Sequence, residues 1–243
     1  MLFDLHVHTE GMGLLELKKL RESGVTGICS LSFYPIKPLF PQTLIDEFRR
    51  LEEFEKLRCS MVEIEMFPAV GIHPRCIPPD YETVLEHLEA NDWVAFGEIG
   101  LETGSEIEQD VLRKQLKIAI TKDIPCVIHT PGGNKRKITE KTLEILKELE
   151  FPNELAVIDH TSFENLDLIS KSGFWVGLTV QRGKLNSGEA VKIVREIGED
   201  RCIVNSDAGF GHTMLDTVAE TARILGKEAK KVCYENPRKF LGV

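Results

Sequence analysis

The chain has 243 residues, enough for one large α/β domain or two small ones, and 42% of them are hydrophobic against 28% charged. That balance excludes a disordered chain, which lacks the apolar residues needed to offset the entropy of folding. A net charge of −9 excludes a surface built for general adhesion to nucleic acid, because polyanions reward cations that displace their counterions; a local basic rim stays compatible with it.

A first strand is predicted at 2–7 (LFDLHV), where Asp4 and His6 interrupt the apolar core that a signal peptide requires. No apolar run anywhere approaches the roughly 18 residues of a membrane span, so residence in the cytoplasm without membrane contact is expected. A helix follows over 14–24, then a strand at 25–31 (VTGICSL), a helix at 44–57 and a strand at 66–72 (MFPAVGI). The alternation continues with a helix at 81–91, a strand at 93–100 (WVAFGEIG), a helix at 108–123 and a strand at 124–130 (IPCVIHT). It ends with helices at 139–150, 163–173 and 188–200 between strands at 155–161 (LAVIDHT), 174–180 (FWVGLTV) and 201–207 (RCIVNSD). The segments TMLDTVAETARILG and AKKVCYENPRKFLGV read as two closing helices.

The strands are continuous apolar runs rather than strict alternations, which suits parallel strands buried on both faces. The intervening segments carry apolar residues at helical spacing, and Gly24, Asn91 and Gly173 stand where helix C-caps belong. Eight strand–helix units without a linker predict one domain over 1–243, a single (β/α)8 TIM barrel, since eight is the closure number. A doubly wound open sheet shares the alternation and remains the competing architecture. The six cysteines lack CxxC pairing, so neither structural zinc nor a disulfide framework is expected.

Five of the seven histidines, His6, His8, His73, His129 and His160, fall at or just beyond the C-terminal end of a predicted strand; His87 lies in a helix and His212 follows the last strand. Glu98 and Asp207 hold the same kind of position on the fourth and eighth strands. In a barrel those ends converge on one mouth. His6 and His8 are two apart and so share a face of their strand, and the mixture of imidazole and carboxylate suits Zn²⁺ or Mn²⁺. Taken alone, any one of these histidines reads first as a core or capping residue, and Asp207 has a second reading as a helix N-cap ahead of Gly209; their joint placement carries the argument. Glu98, between Gly97 and Ile99 in an apolar strand, requires either a metal or a neighbouring Lys or Arg.

In order along the chain, FDLHVH, GIHP, GEIGLE, PCVIHT, DHTSF, NSD and ENPRKFLG form a series that resembles the TatD-type metal-dependent hydrolases of the amidohydrolase superfamily. The resemblance implies that His6, His8 and Asp207 bind one divalent metal ion, that Glu98 bridges, and that His129 and His160 bind a second. It places His73 beside the site, against substrate or a metal-bound group. It implies hydrolysis by a metal-held hydroxide, often of phosphodiester bonds in DNA. On physical grounds two cations, zinc, manganese or magnesium, about 3.5–4 Å apart depress the pKa of a bridging water. Asp207 is then placed to accept the attacking water's proton, so Asp207 and Glu98 are the expected catalytic residues as well as ligands.

Arg75, Lys135, Arg136, Lys137, Arg182 and Lys184 follow strands on the mouth side. Of these Arg75, Lys135, Arg136 and Arg182, with His73, are the expected substrate contacts on a phosphate-binding rim, where Gly132 and Gly133 let backbone approach an anion. The plain alternative is that these charges only solvate turns. The chain departs from the family pattern at Glu102, where nuclease members have an aspartate, at TSFENL after His160, and at NSDAGFGH. All three lie in loops that choose the substrate. The expected substrate is a phosphodiester, with single-stranded DNA as a candidate; a cyclic amidase or lactonase would use the same hydroxide and is the alternative. A carboxylate rather than a lysine at position 98 shifts weight toward the phosphodiester. A non-catalytic binding protein has no need of a bridging carboxylate and a further aspartate, and no protein partner can be inferred.

Overall fold

The computed structural model describes residues 1–210 and 214–243; His212 lies outside the described residues. Eight parallel strands form one sheet in consecutive order: β1 (Leu2–Val7), β2 (Val25–Leu31), β3 (Glu65–Val70), β4 (Ala95–Gly100), β5 (Cys126–His129), β6 (Ala156–Ile158), β7 (Trp175–Thr179) and β8 (Cys202–Asn205). The last strand returns to the first. Asp207 N donates to His6 O at 2.8 Å, and His8 N donates to Ala208 O at 2.7 Å. The consecutive order and this seam exclude the open doubly wound sheet, whose strand order reverses at a switch point. The fold is a (β/α)8 barrel.

The helices between the strands are α1 (Leu14–Glu22), α2 (Gln42–Arg50), α3 (Lys56–Ser60), α4 (Tyr81–Ala90), α5 (Glu106–Lys122), α6 (Lys135–Glu148), α7 (Leu166–Ser172) and α8 (Ser187–Ile197), followed by α9 (Thr217–Leu225) and α10 (Asn236–Leu241). The single helix expected at 44–57 is a longer rod in which a π-helical stretch, Leu51–Glu55, joins α2 to α3. The fully buried Glu55 carboxylate there accepts from Arg50 Nε at 3.0 Å and Arg58 Nη1 at 2.5 Å. Helix α6 starts four residues before the expected 139, and α7 starts three residues after the expected 163 because Asn165 Oδ1 accepts from Ser162 N and holds 162–165 as a turn. All six cysteines are buried free thiols.

Two apolar layers follow from parallel strands buried on both faces. One lies between sheet and helices. The other fills the barrel, where Phe3, Leu5, Leu31, Val127, Val157 and Ile203 pack together. Its N-terminal end is closed by Phe240 of α10, whose ring lies 6.1 Å from that of Trp175.

The β1–β2 register shifts once at its start, where β2 carries an extra residue between Val25 and Gly27, and two further irregularities lie closer to the opposite end. Asp4 pairs with Ile28 and Val7 with Ser30, so β1 carries one residue more than β2 over that stretch. Phe96 pairs with Cys126 and Ile99 with Ile128, so β4 carries one more than β5. An extra residue of this kind breaks strict alternation and re-aims a side chain. Leu5 and His6 therefore both face the barrel interior, as do Gly97 and Glu98. Gly97 is tightly enclosed, since a Cβ there would lie 3.1 Å from Leu31 and Val127 side-chain atoms and would require them to give way.

Truncating the plug tests whether this layer holds the barrel together. Phe240→Ala is expected to destabilise the fold by about 3–5 kcal/mol, read as a lower urea midpoint with an unchanged m-value.

Candidate metal centre

The mouth is built from residues at or just past the strand ends. His6 lies on β1 and Glu98 on β4, while His129 ends β5. His8, His160 and Asp207 follow β1, β6 and β8, and the last two take left-handed backbone with φ of 55° and 49°. That conformation is uncommon outside glycine but best tolerated by Asp, Asn and His, and it turns both side chains inward. Asp207 is not a helix N-cap, since the next described helix starts at Thr217.

Proton placement decides what these rings can bind. His8 Nδ1 lies 2.8 Å from the carbonyl oxygen of Leu31, which can only accept, so Nδ1 carries the proton. His6 Nδ1 lies 2.5 Å from Asp159 Oδ2 and is a donor for the same reason. The two Nε2 atoms therefore face each other at 3.1 Å, with Asp207 Oδ1 at 3.2 Å from His8 Nε2 and 3.5 Å from His6 Nε2. Three acceptors converge, and one proton can satisfy only one of them.

The same logic holds on the other side of Glu98. The Thr179 hydroxyl donates to Asp159 Oδ1 at 3.2 Å, so its oxygen accepts from His160 Nδ1 at 2.8 Å and leaves His160 Nε2 as a lone pair 2.8 Å from Glu98 Oε1. His129 stands between two carboxylates, with Nε2 2.8 Å from Glu102 Oε2 and Nδ1 2.5 Å from Glu98 Oε1, and both carboxylates can only accept, so against the effect of burial they together raise its pKa. A metal-ligating imidazole commonly has its second nitrogen tied in this way to a carboxylate or carbonyl, which fixes the tautomer.

His73 is the reverse case. Its Nδ1 accepts from Arg75 N at 3.1 Å, so in the neutral ring the proton sits on Nε2, which is buried, has no hydrogen-bond partner among the described residues, and lies 3.6 Å from Glu98 Oε2. Burial holds the His73 pKa well below the usual range, with help from His129 and Arg75 and against Glu98. His73 thus offers a donor beside the cluster rather than a lone pair, although its ligand atoms lie close enough to those of Glu98 and His129 to be grouped with them.

Charge at the centre points the same way. Burial raises the pKa of Glu98, but His129 and His6 override it and hold the carboxyl well below the carboxylate range. Burial likewise raises that of Asp207, and His6 and Lys184 override it. For His6 burial lowers the pKa, yet Glu98 and Asp207 lift it well above the imidazole range, so this buried cluster demands positive charge. The sets His6, His8, Asp207 and His6, Glu98, His160 each bring three ligand atoms within 4.8 Å. The donor set therefore fits divalent cations bound by nitrogen and carboxylate oxygen.

Some of the expected substrate contacts sit elsewhere. Arg136 turns away from the mouth and pairs with both oxygens of Asp167 at 2.7 and 3.0 Å, because α6 and α7 pack side by side there. Arg182 lines a separate surface hollow with Met214 and Ile224. The turn at Gly183 instead brings Lys184 inward, where its ammonium lies beside the His160 ring, 3.1 Å from Nδ1 and 3.3 Å from Nε2, and pairs with Asp207. Arg75 stays at the mouth, 4.9 Å over the Phe33 ring and 4.0 Å from Glu102. Lys135 is buried behind His160, and burial with Lys184 brings its pKa down to about 8.

Reading strand ends alone misses Asp159. This fully buried carboxylate orients His6 and is itself held by Asn205 Nδ2 at 2.8 Å. Its signal in the sequence is the same as that of Glu98, a carboxylate inside an apolar run. Gly177 makes room for it, since a Cβ there would lie 2.3 Å from Asp159 Oδ1.

The profile that describes the TatD related DNase family matches residues 3–242. The chain belongs to the TatD-related DNase family. It is 35% identical over 213 residues to an uncharacterized metal-dependent hydrolase of Methanocaldococcus jannaschii, covering 86% of this chain and 84% of that one. A TatD-like protein from Archaeoglobus fulgidus has a crystal structure that is 52% identical and superposes with a TM-score of 0.90, covering 99% of this chain and all of the other. The TatD homologue YJJV of Escherichia coli shares the fold at 18% identity, with a TM-score of 0.70 over the whole of this chain and 98% of that one. This member of the family is a metal-dependent hydrolase with candidate clusters of His, Glu and Asp for the metal. Among the described residues no helix is long and apolar enough to cross a membrane.

If Asp159 sets the tautomer of His6, replacing it must weaken metal binding without unfolding the chain. Asp159→Asn is expected to lower metal affinity about 10–100-fold, measured by calorimetric titration on protein whose circular dichroism matches wild type. Unchanged affinity would show that His6 needs no such orientation.

Proposed function

We propose that this protein hydrolyses phosphodiester bonds with two divalent cations, zinc, manganese or magnesium, held by His6, His8, Asp207, Glu98, His129 and His160. One observation carries the reading: His6, His8 and His160 each give Nδ1 to an outer acceptor, Asp159, Leu31 O or Thr179, while His129 is held from outside by Glu102, and all four rings turn their other nitrogen toward Glu98 or Asp207. When bound there, such cations supply Lewis acidity, lower the pKa of water, and offset negative charge that develops in the transition state.

The chain's own residues have distinct tasks. Glu98 reaches both halves of the cluster, with Oε1 against His129 and His160 and Oε2 3.6 Å from His6, which suits a bridging carboxylate. Asp207 is ionised and lies nearest the opening, its side chain 15% exposed. It is the group placed to accept a proton from an attacking water. His73 Nε2–H and Arg75 border the site as donors to a substrate oxygen, and Phe33 and Phe210 stand beside His8 with ring centroids 5.6 and 5.8 Å away. Lys184 and Arg75 at the opening favour an anionic substrate over a neutral amide or lactone, and single-stranded DNA is the macromolecular candidate.

The test is direct. Protein stripped with EDTA and reloaded separately with Zn²⁺, Mn²⁺ or Mg²⁺ is assayed on single-stranded DNA and on bis(p-nitrophenyl) phosphate. Activity is expected to vanish with chelation and return with metal, and Asp207→Asn is expected to lower kcat by about 10²–10⁴-fold. Turnover indifferent to both treatments would sink the proposal, and turnover of lactones or cyclic amides alone would replace it with the other hydrolase reading.

A further inference from the structure

A cleft of about 510 Å³ runs from the metal cluster between the loops after β5, β6 and β7, with Lys135, Lys184, Gly132, Thr161 and Ser162 on its walls. Its charges are unevenly matched. Glu102 is tied to His129, Glu164 accepts from Arg136 N at 3.1 Å, and Glu189 caps the first turn of α8 through Asn186 N at 2.8 Å. Lys184 is paired with Asp207, and Arg75 stands 4.0 Å from Glu102.

Lys135 differs. Only 8% of its surface is exposed, yet among the described residues no carboxylate lies within 4.0 Å of its ammonium. Its Nζ donates to His160 O at 2.7 Å and to Thr130 Oγ1 at 3.2 Å. An ammonium has three N–H groups, so one donor has no acceptor among the described residues. A buried cation with no carboxylate in direct contact among the described residues is costly even with Asp159, Glu164 and Glu102 farther off, and here it borders a cleft open to ligand. Lys135 is also the first residue of the 14-residue helix α6, whose N-cap Asn134 gives no side-chain cap and whose first turn already holds one anion, the Glu164 carboxylate on Arg136 N. Beside it a Cβ on Gly132 would meet nothing within 4 Å, so that wall is backbone accessible to a ligand.

We propose that this cleft is a phosphate-binding subsite adjoining the metal centre, with the Lys135 ammonium as its counter-charge and Lys184 at its inner edge. Its occupant is the phosphate group next to the scissile one in a nucleic-acid strand. This rests on the phosphodiester reading for its purpose, but its binding chemistry needs no metal and no turnover.

The experiment titrates inorganic phosphate, and separately thymidine 5′-monophosphate, into the metal-loaded protein and into protein treated with EDTA, with calorimetric detection. Both ligands are expected to bind in both states, thymidine 5′-monophosphate more tightly than phosphate. Lys135→Met is expected to weaken both at least tenfold in Kd, while Lys135→Arg keeps most of the affinity. Should Lys135→Met fold poorly, Gly132→Asp puts a carboxylate into open space on the cleft wall and is expected to cause a similar loss in a folded protein. In the EDTA-treated protein, phosphate binding that persists in folded Lys135→Met or in Gly132→Asp overturns the proposal, as does binding that appears only in the metal-loaded protein. Thymidine 5′-monophosphate binding no tighter than phosphate overturns the nucleic-acid occupant. A lack of phosphodiester turnover would instead count against the reaction and leave this measurement standing.

Discussion

How four buried imidazoles are oriented governs the rest of this structure. Each of His6, His8, His129 and His160 gives one nitrogen to an outer acceptor and turns the other toward Glu98 or Asp207. Lone pairs and carboxylates packed together in a low-dielectric interior repel one another, and added positive charge, a proton on His6 or a metal cation, makes the arrangement favourable. The outer acceptors come from β2, the segment after β4, the segment after β6, and β7, so closing the barrel and setting the tautomers are one event.

That demand explains the irregular strands. A regular parallel strand would alternate its side chains and could not present both the apolar filling and the ligands inward over so short a stretch. An extra residue in β1 and another in β4 bring Leu5 with His6, and Gly97 with Glu98, to the same interior. The inner end of the barrel stays dry around Phe3, Trp175 and Phe240, while polar groups gather at the other end. Gly177 serves the same purpose from across the barrel by leaving space for Asp159.

The basic residues divide according to what they pack against. Arg136 reaches across to α7 and becomes a structural ion pair with Asp167, and Arg182 lies outside the mouth altogether. Lys184, two residues from Arg182, enters the cluster because the turn closes through the bridge between Val180 and Leu185. Lys135 sits inside because α6 begins early enough to bury it behind His160. A run of positive charge in a sequence does not say which of its members faces a ligand.

The amino-acid sequence by itself determined the eight-fold alternation, the strand ends that carry His6, His8, Glu98, His129, His160 and Asp207, and the family. These are written in local apolar periodicity and in polar residues standing where such periodicity rejects them. Tertiary structure alone decided closure of β8 onto β1, the roles of Asp159 and Thr179, the opposite tautomer of His73, and the exchange of Arg182 for Lys184 at the mouth. Each depends on which atoms meet across strands far apart in the chain, and a hydrogen bond or an ion pair is set by ångström-scale distance and direction that spacing along a sequence does not encode.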